Sequence, residues 1–439
     1  MHDKVDLLIE NGTLVCMNET MDVIDSGWLA IKGSEIVAIG RKGDSLPKET
    51  IIVQKIDAKN KLILPGFINT HTHIGMSYFK GIADDLPLDI WLNNHIWPLE
   101  RKMITSEFVY HSALHGIAEL IKNGVTTFND MYFESEFLAK AAKESGIRAI
   151  LGEGIMDFPA ASHSGAEDYL DYTQKLIDMF KDDELINVAV ATHSIYTCSE
   201  ATLKKAIQLA EKNDAMIHIH LAETEQEYQD SLKNNKKTPT KYLADIGLFE
   251  HNVVAAHSVW LSDDDIGVLA DKGVNIAINT ESNLKLASGF IPLKKCLENG
   301  VNLTTATDGV ASNNNLSIIE ELGTTAKVHK ALNSDPSFLP AKTILRFPTI
   351  NAAKAIRKGD KLGSLEVGKK GDLIMIDTDN IESLPIYDPY SQIVYAQNSS
   401  HITDVIINGK IVMFNKQLLT LDEEELKDRA RYYSKLMRE

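Results

Sequence analysis

Cysteine is scarce in this 439-residue chain: Cys16, Cys198 and Cys296 lie far apart and form no C-x-x-C pair. That spacing excludes a zinc ribbon and fits a reducing compartment. No segment approaches the roughly 20 apolar residues of a membrane span, and the start, MHDKVDLLIENG, has no apolar h-region of a secretory signal. Basic clusters are missing too. With 45 Lys and Arg against 62 Asp and Glu, the net charge is -17, which argues against a nucleic-acid surface and makes neutral or cationic small molecules the easier ligands. No low-complexity tract interrupts a composition that is 44% hydrophobic and 24% charged. What remains is the profile of a soluble, cytoplasmic globular enzyme with neither a nucleic-acid nor a membrane partner, long enough for a large core.

The middle of the chain alternates short β-rich runs with amphipathic helical stretches, the pattern of a parallel α/β protein. Eight runs read as strands: KLILPGFINTHTH, GVTTFNDM, RAILGEGI, NVAVATHS, MIHIHLAE, VVAAHSV, VNIAINTES and NLTTATDG. Helical candidates follow, such as SEATLKKAIQLAEKND, and SDDDIGVLADKG, in which Ser262 can cap the start with Asp265 at the third helical position and Gly273 can close the end. The fold class expected is therefore α/β, a (β/α)8 TIM barrel over residues 63 to 357. The ends differ, with strand runs broken by NG and GS turns, and they predict a small β-sandwich domain built from residues 1 to 62 and 358 to 418. Residues 419 to 439, acidic first and basic last, predict a solvated surface helix.

The histidines fall where a barrel would use them. Side chains alternate along a strand, so His71 and His73 of THTH share a face, and His193, His220, His257 and Asp308 end later strands. Chemistry in such barrels gathers at the C-terminal strand ends, so these residues predict a metal site. Three imidazoles, His71, His73 and His220, with the Asp308 carboxylate, suit one divalent ion, zinc first, with iron(II) or manganese fitting the same set. Alternation leaves His218 and His220 on one face. His220, nearer the strand end, is the ligand expected, and His218, a layer deeper, a buried hydrogen-bonding histidine. Such an ion lowers the pKa of water toward about 7. Asp308 is then placed to accept a proton, His257 to bond the nucleophile, and Glu223, three residues past His220, to protonate a ring nitrogen and a leaving amine.

The segments PGFINTHTH, ADDLPLDIWLNNHIWPLE, ATHSIYT, HIHLAET, AAHSVWL, NTESNLKLASG and TDGVASNNNL together resemble the amidohydrolase superfamily, and within it the 5'-methylthioadenosine/S-adenosylhomocysteine deaminases. The resemblance spans nearly the whole chain. It implies hydrolytic deamination of an adenosine-type nucleoside with release of ammonia, a homo-oligomer, and a single ion, since His193 stands where binuclear members carry a carboxylated lysine. It also implies that His193 donates to the purine ring, Glu223 to its N1, and that Glu100 holds the ribose hydroxyls. Ser312 and the asparagines after it would brace the loop of Asp308. The H-x-E and P-C-x-x-C pattern of cysteine-ligated deaminases is missing. The alternatives keep the metal chemistry and change the substrate to a free purine, pterin, pyrimidine, aminofutalosine or triazine.

One departure stands out. Members that accept S-adenosylhomocysteine carry an arginine just after strand three, where this chain has Glu153, and no arginine occurs between Arg148 and Arg346. With Glu153 expected beside the substrate tail, a homocysteine carboxylate would lack a bidentate partner and be poorly accepted.

Overall fold

The computed structural model describes residues 4–160 and 163–438. Residues 1 to 3 of the first domain expected, residues 161 and 162 of FPAASHSG, and Glu439 at the end of the last helix lie outside the described residues. The chain divides into two compact units, one from its start to residue 68 with 118–127 and 317–422, the other 69–117, 128–316 and 423 onward.

Both chain ends contribute to one nine-stranded sheet in the first unit. Its path runs Gln417–Leu418, Lys410–Phe414, Ile402–Ile407, Leu373–Asp377, Lys61–Pro65, Lys4–Val15, Val23–Lys32 and Glu35–Gly40, with Ile51–Asp57 pairing Lys4–Val15 from the side. Alternating apolar positions pack into a core that includes Leu7, Ile9, Leu29, Ile31, Ile63, Leu373, Met375 and Ile406. The turn signals divide into two kinds. Asn408-Gly409, both at positive φ, makes the tight turn between two strands. Asn11-Gly12 does not break its strand: it sits in an irregular stretch of register within Lys4–Val15. A Cβ on Gly12 would fall 2.4 Å from Ile63 Cδ1, so glycine serves close packing there instead of a hairpin.

The second sheet is the barrel, with strands β1 (Phe67–Thr72), β2 (Val125–Tyr132), β3 (Arg148–Ile155), β4 (Val190–Thr192), β5 (Ile217–Leu221), β6 (Val253–His257), β7 (Asn275–Ile278) and β8 (Asn302–Thr305) in sequential order. Nearly every residue in them is buried, as strands covered on both faces require. The run KLILPGFINTHTH is not one strand. Lys61–Pro65 belongs to the first sheet and β1 begins at Phe67. The break falls at Gly66, where a Cβ would meet Thr126 Cγ2 at 2.1 Å. Hydrogen bonds nearly close the ring between its first and last strands. The Asp308 amide donates to the His71 carbonyl, Asn69 Nδ2 donates to Thr307 Oγ1 at 2.7 Å, and the Thr70 and Thr304 hydroxyls meet at 2.7 Å.

The helix Asp263–Asp271 starts on a reciprocal capping box between Ser262 and Asp265, and Gly273 just beyond it has φ +64°. The last helix, Glu423–Arg438, is less solvated than its charge suggests. Leu426 and Tyr433, seven residues apart, are buried. The Tyr433 ring stacks on Tyr78 at 5.3 Å and meets Phe108 edge-on at 5.2 Å. Among the described residues no helix is long and apolar enough to cross a membrane.

Candidate active site

The C-terminal mouth of the barrel holds the histidine cluster. Each of three imidazoles is fixed through Nδ1 from outside. His73 Nδ1 donates to the Met131 carbonyl at 2.5 Å, His220 Nδ1 donates to the His193 carbonyl at 2.7 Å, and His71 Nδ1 shares a 2.8 Å bond with His218 Nε2. These bonds set the tautomer and turn the three Nε2 atoms inward. His220 Nε2 lies 3.3 Å from His73 Nε2, and Asp308 Oδ1 lies 3.2 Å from His73 Nε2 and 3.3 Å from His71 Nε2. His218 is the deeper, fully buried histidine of its pair.

Two observations bear on whether a metal ion fits. A tetrahedral site with bonds of about 2.0–2.1 Å has edges of about 3.3 Å, and these contacts match that length. His71 Nε2, moreover, is buried without a hydrogen-bond partner. One ligand atom each from His71, His73 and Asp308 lie within 4.8 Å of one another, and so do those of His71, His220 and His257. Burial disfavours charge on Asp308, yet the His71 and His73 imidazoles beside its Oδ1 hold the carboxyl well below the usual range. Burial pushes His71 down to about 3 and His220 also well down, which keeps both neutral and able to ligate. The residues present fit a divalent ion.

Asp308 Oδ2 faces the other way, accepting from Ser282 and Ser312 hydroxyls at 2.7 Å each. Ser312 thus braces Asp308 as expected, while Ser282, in the helix after β7, carries no sequence signal. His257 and Asp308 take left-handed backbone conformations, φ 68° and 62°. Neither is glycine, so each costs roughly 1–3 kcal/mol and is held by its surroundings.

An open cavity lies over the cluster, lined by His73, His193, His220, His257, Asp308, Glu223 and Glu100 together with apolar side chains such as Leu88, Trp91, Trp97, Phe133 and Met156. His257 Nδ1 bonds Asn283 Oδ1 at 2.9 Å and its Nε2 lies 3.8 Å from Glu223 Oε2. Burial raises the Glu223 carboxyl. Its backbone is gripped by Glu227, which accepts from the amides of Ala222 and Glu223 at 3.0 and 2.9 Å. Glu227 escapes a sequence reading because it looks like one more first-turn carboxylate of the helix Glu225–Asn235. His193, pushed down to about 3 by burial, presents a neutral ring with Nδ1 3.0 Å from Thr197 Oγ1. Glu100, on the short helix Trp97–Met103, is buried, and burial lifts it to about 7.

Glu153 is not at the cavity. In β3 the cavity is lined by Gly154, with Met156 just beyond the strand, so by alternation Glu153 points to the opposite face. There, fully buried, it accepts from the amides of Glu134 and Ser135 at 2.9 and 3.0 Å, at the start of the helix Ser135–Ser145, and bonds His163 Nε2 at 3.0 Å. It is a helix cap supplied by a neighbouring strand. Glu153→Ala is expected to lower unfolding free energy by about 2–3 kcal/mol in a denaturant titration. It should leave kcat/KM for a nucleoside substrate within about threefold; a larger kinetic than stability effect would return Glu153 to the substrate.

An α/β barrel with inward imidazoles and carboxylates gathered at the C-terminal strand ends is an enzyme architecture with a candidate metal centre. The chain belongs to the amidohydrolase family, whose model matches residues 62–412. It is 45% identical to the 5-methylthioadenosine/S-adenosylhomocysteine deaminase of Thermodesulfovibrio yellowstonii, covering 97% of each chain. It is 43% identical to the 5'-deoxyadenosine deaminase of Methanobrevibacter smithii, covering 92% of each. Among solved structures, an adenosine deaminase from Xanthomonas campestris with bound zinc superposes with a TM-score of 0.97 at 36% identity, over the full length of both chains.

Proposed function

We propose that the protein is a hydrolytic deaminase of adenosine-type nucleosides, with 5'-methylthioadenosine, 5'-deoxyadenosine and adenosine as its substrates. The observation that carries this reading is the meeting, on one cavity, of His73, His220 and Asp308 of the cluster with the Glu223 and His257 pair and the Glu100 carboxylate. His71, His73, His220 and Asp308 would hold one divalent ion, zinc in the first place. Bound there, the ion supplies the Lewis acidity that makes water a nucleophile near neutral pH.

The rest falls to side chains. Asp308 Oδ1 accepts the proton released on attack, its other oxygen already engaged by two serines. Glu223, protonated more readily than an ordinary glutamate because it is buried, donates to N1 of the purine. Left ionised, it takes up the remaining hydroxyl proton as the carbonyl forms and relays it to the amine, which leaves as ammonia, while the proton held by Asp308 restores the acid form of Glu223. His257 Nε2 faces the same space and stabilises charge at the carbon under attack. His193 bonds the purine ring as a neutral imidazole. Glu100 accepts from the ribose hydroxyls in charge-assisted bonds.

The cavity also speaks to the 5' substituent. Among the described residues, none that line it is lysine or arginine. A smaller space beyond Glu100, lined by Trp97, Phe133, Met156, Phe158, Pro159 and Ala160, adds Arg101 alone. Such walls suit a methylthio or methyl group better than an amino-acid tail. In an ultraviolet assay following adenine to hypoxanthine, kcat/KM for 5'-methylthioadenosine and 5'-deoxyadenosine should exceed that for S-adenosylhomocysteine by about tenfold or more. Equal values would remove the tail argument. Glu100→Gln should cripple ribosyl substrates by about tenfold or more and barely alter a free purine. Activity confined to free bases or to triazines would overturn the nucleoside reading.

A further inference from the structure

Glu100 does not stand alone in the cavity. Tyr132, the last residue of β2, donates its hydroxyl to Glu100 Oε1 at 2.8 Å, and this is the one hydrogen bond the Glu100 side chain makes among the described residues. Both side chains are nine-tenths buried or more, and both line the cavity. The phenol has a fixed direction of donation. Burial and the adjacent Glu100 carboxylate drive Tyr132 well above its ordinary range, so it stays protonated and always gives its proton to the bond. For Glu100 the same bond works against burial: the Tyr132 hydroxyl lowers a carboxyl that burial lifts to about 7.

The ring has been given room. Gly75, just past His73, lies directly against it: a Cβ on Gly75 would sit 2.2 Å from Tyr132 Cδ1. A carboxylate bound through one oxygen to a rigid phenol loses its freedom to rotate, and its second oxygen is left to face the cavity.

We propose that Tyr132 is a positioning residue for sugar recognition: it locks the Glu100 carboxylate in one orientation and keeps it an acceptor for the vicinal hydroxyls of a ribosyl substrate. The proposal rests on the reading that Glu100 holds the ribose. Tyr132 touches neither the purine nor the reacting carbon in this account, and it acts only through Glu100.

The test is a substrate cycle on the metal-loaded enzyme. Tyr132→Phe keeps the ring and deletes the hydroxyl. For 5'-deoxyadenosine, kcat/KM should fall about tenfold, carried mainly by KM. For the 2',3',5'-trideoxy analogue, which offers Glu100 no hydroxyl, the same variant should change kcat/KM by less than about twofold. The acidic limb of the kcat/KM profile for 5'-deoxyadenosine should move up by about half a unit or more, because the carboxylate has lost a donor. In a Glu100→Gln background the Tyr132→Phe effect should vanish.

Each variant is compared with itself across two substrates, so a loss of folded or metal-loaded protein cancels. Equal losses on both substrates with an unmoved acidic limb would overturn the proposal and leave Tyr132 a packing residue. If Glu100→Gln itself spared 5'-deoxyadenosine, the ribose reading would fall, and the proposal with it.

Discussion

Asp308→Ala should leave the protein folded but without stoichiometric metal, with kcat/KM lower by on the order of 10⁴-fold. The size follows from how many tasks meet on one carboxylate. Asp308 Oδ1 sits 3.2 and 3.3 Å from the His73 and His71 nitrogens, so removing it deletes an anionic ligand and leaves neutral imidazoles that hold a divalent ion far less tightly. The same oxygen is the proposed proton acceptor. Elemental analysis of purified wild type and variant reads the first effect, and turnover of 5'-deoxyadenosine the second. Ser282→Ala gives the graded companion. It removes one of two hydroxyls on Asp308 Oδ2 and should weaken metal affinity by about 10–100-fold. Full metal content and turnover in Asp308→Ala would sink the proposed ligand set.

Glu223→Gln has a narrower expected signature. The amide keeps the shape of the side chain but can neither give a proton to the ring nitrogen nor relay a second one to the leaving amine, so kcat should drop by roughly 10³-fold. Metal content and KM should stay close to wild type, because the cluster and the sugar site are untouched. The pH dependence supplies the sign. Burial raises Glu223 above its ordinary value, so its acid form persists to higher pH than in a solvated glutamate, and kcat should decline as pH rises through that raised value. A variant within tenfold of wild type, or one that fails through metal loss, would take proton transfer away from Glu223.

The barrel is legible in the sequence because its strands are short, fully buried runs separated by amphipathic helices, and because the histidines recur at the strand ends. The pairing of His71 with His73 follows from alternation alone. The same rule sets Glu153 opposite Gly154, but that Gly154 is the one facing the cavity shows only in the structure. The division of KLILPGFINTHTH between two sheets is not legible, since both halves are apolar and the break at Gly66, where Thr126 packs close, shows only in three dimensions. Ser282, Glu227 and Tyr132 escape for a related reason. Each acts on a partner by hydrogen bonding, and nothing in its own neighbourhood separates it from an ordinary helix cap or strand residue. Tyr132 and Glu100 come from different elements and meet only in three dimensions.

The near-closure of the barrel has a consequence for biosynthesis. Thr70 and Thr304, 234 residues apart, join the first strand to the last, and the Asp308 amide reaches the His71 carbonyl at the same junction. Contacts of such long sequence separation carry the largest loop-closure cost and need the whole intervening chain. In a chain made from its N-terminus the THTH pair is therefore complete well before Asp308 is added, and the four residues proposed to hold the ion can meet only once the last barrel strand has been made.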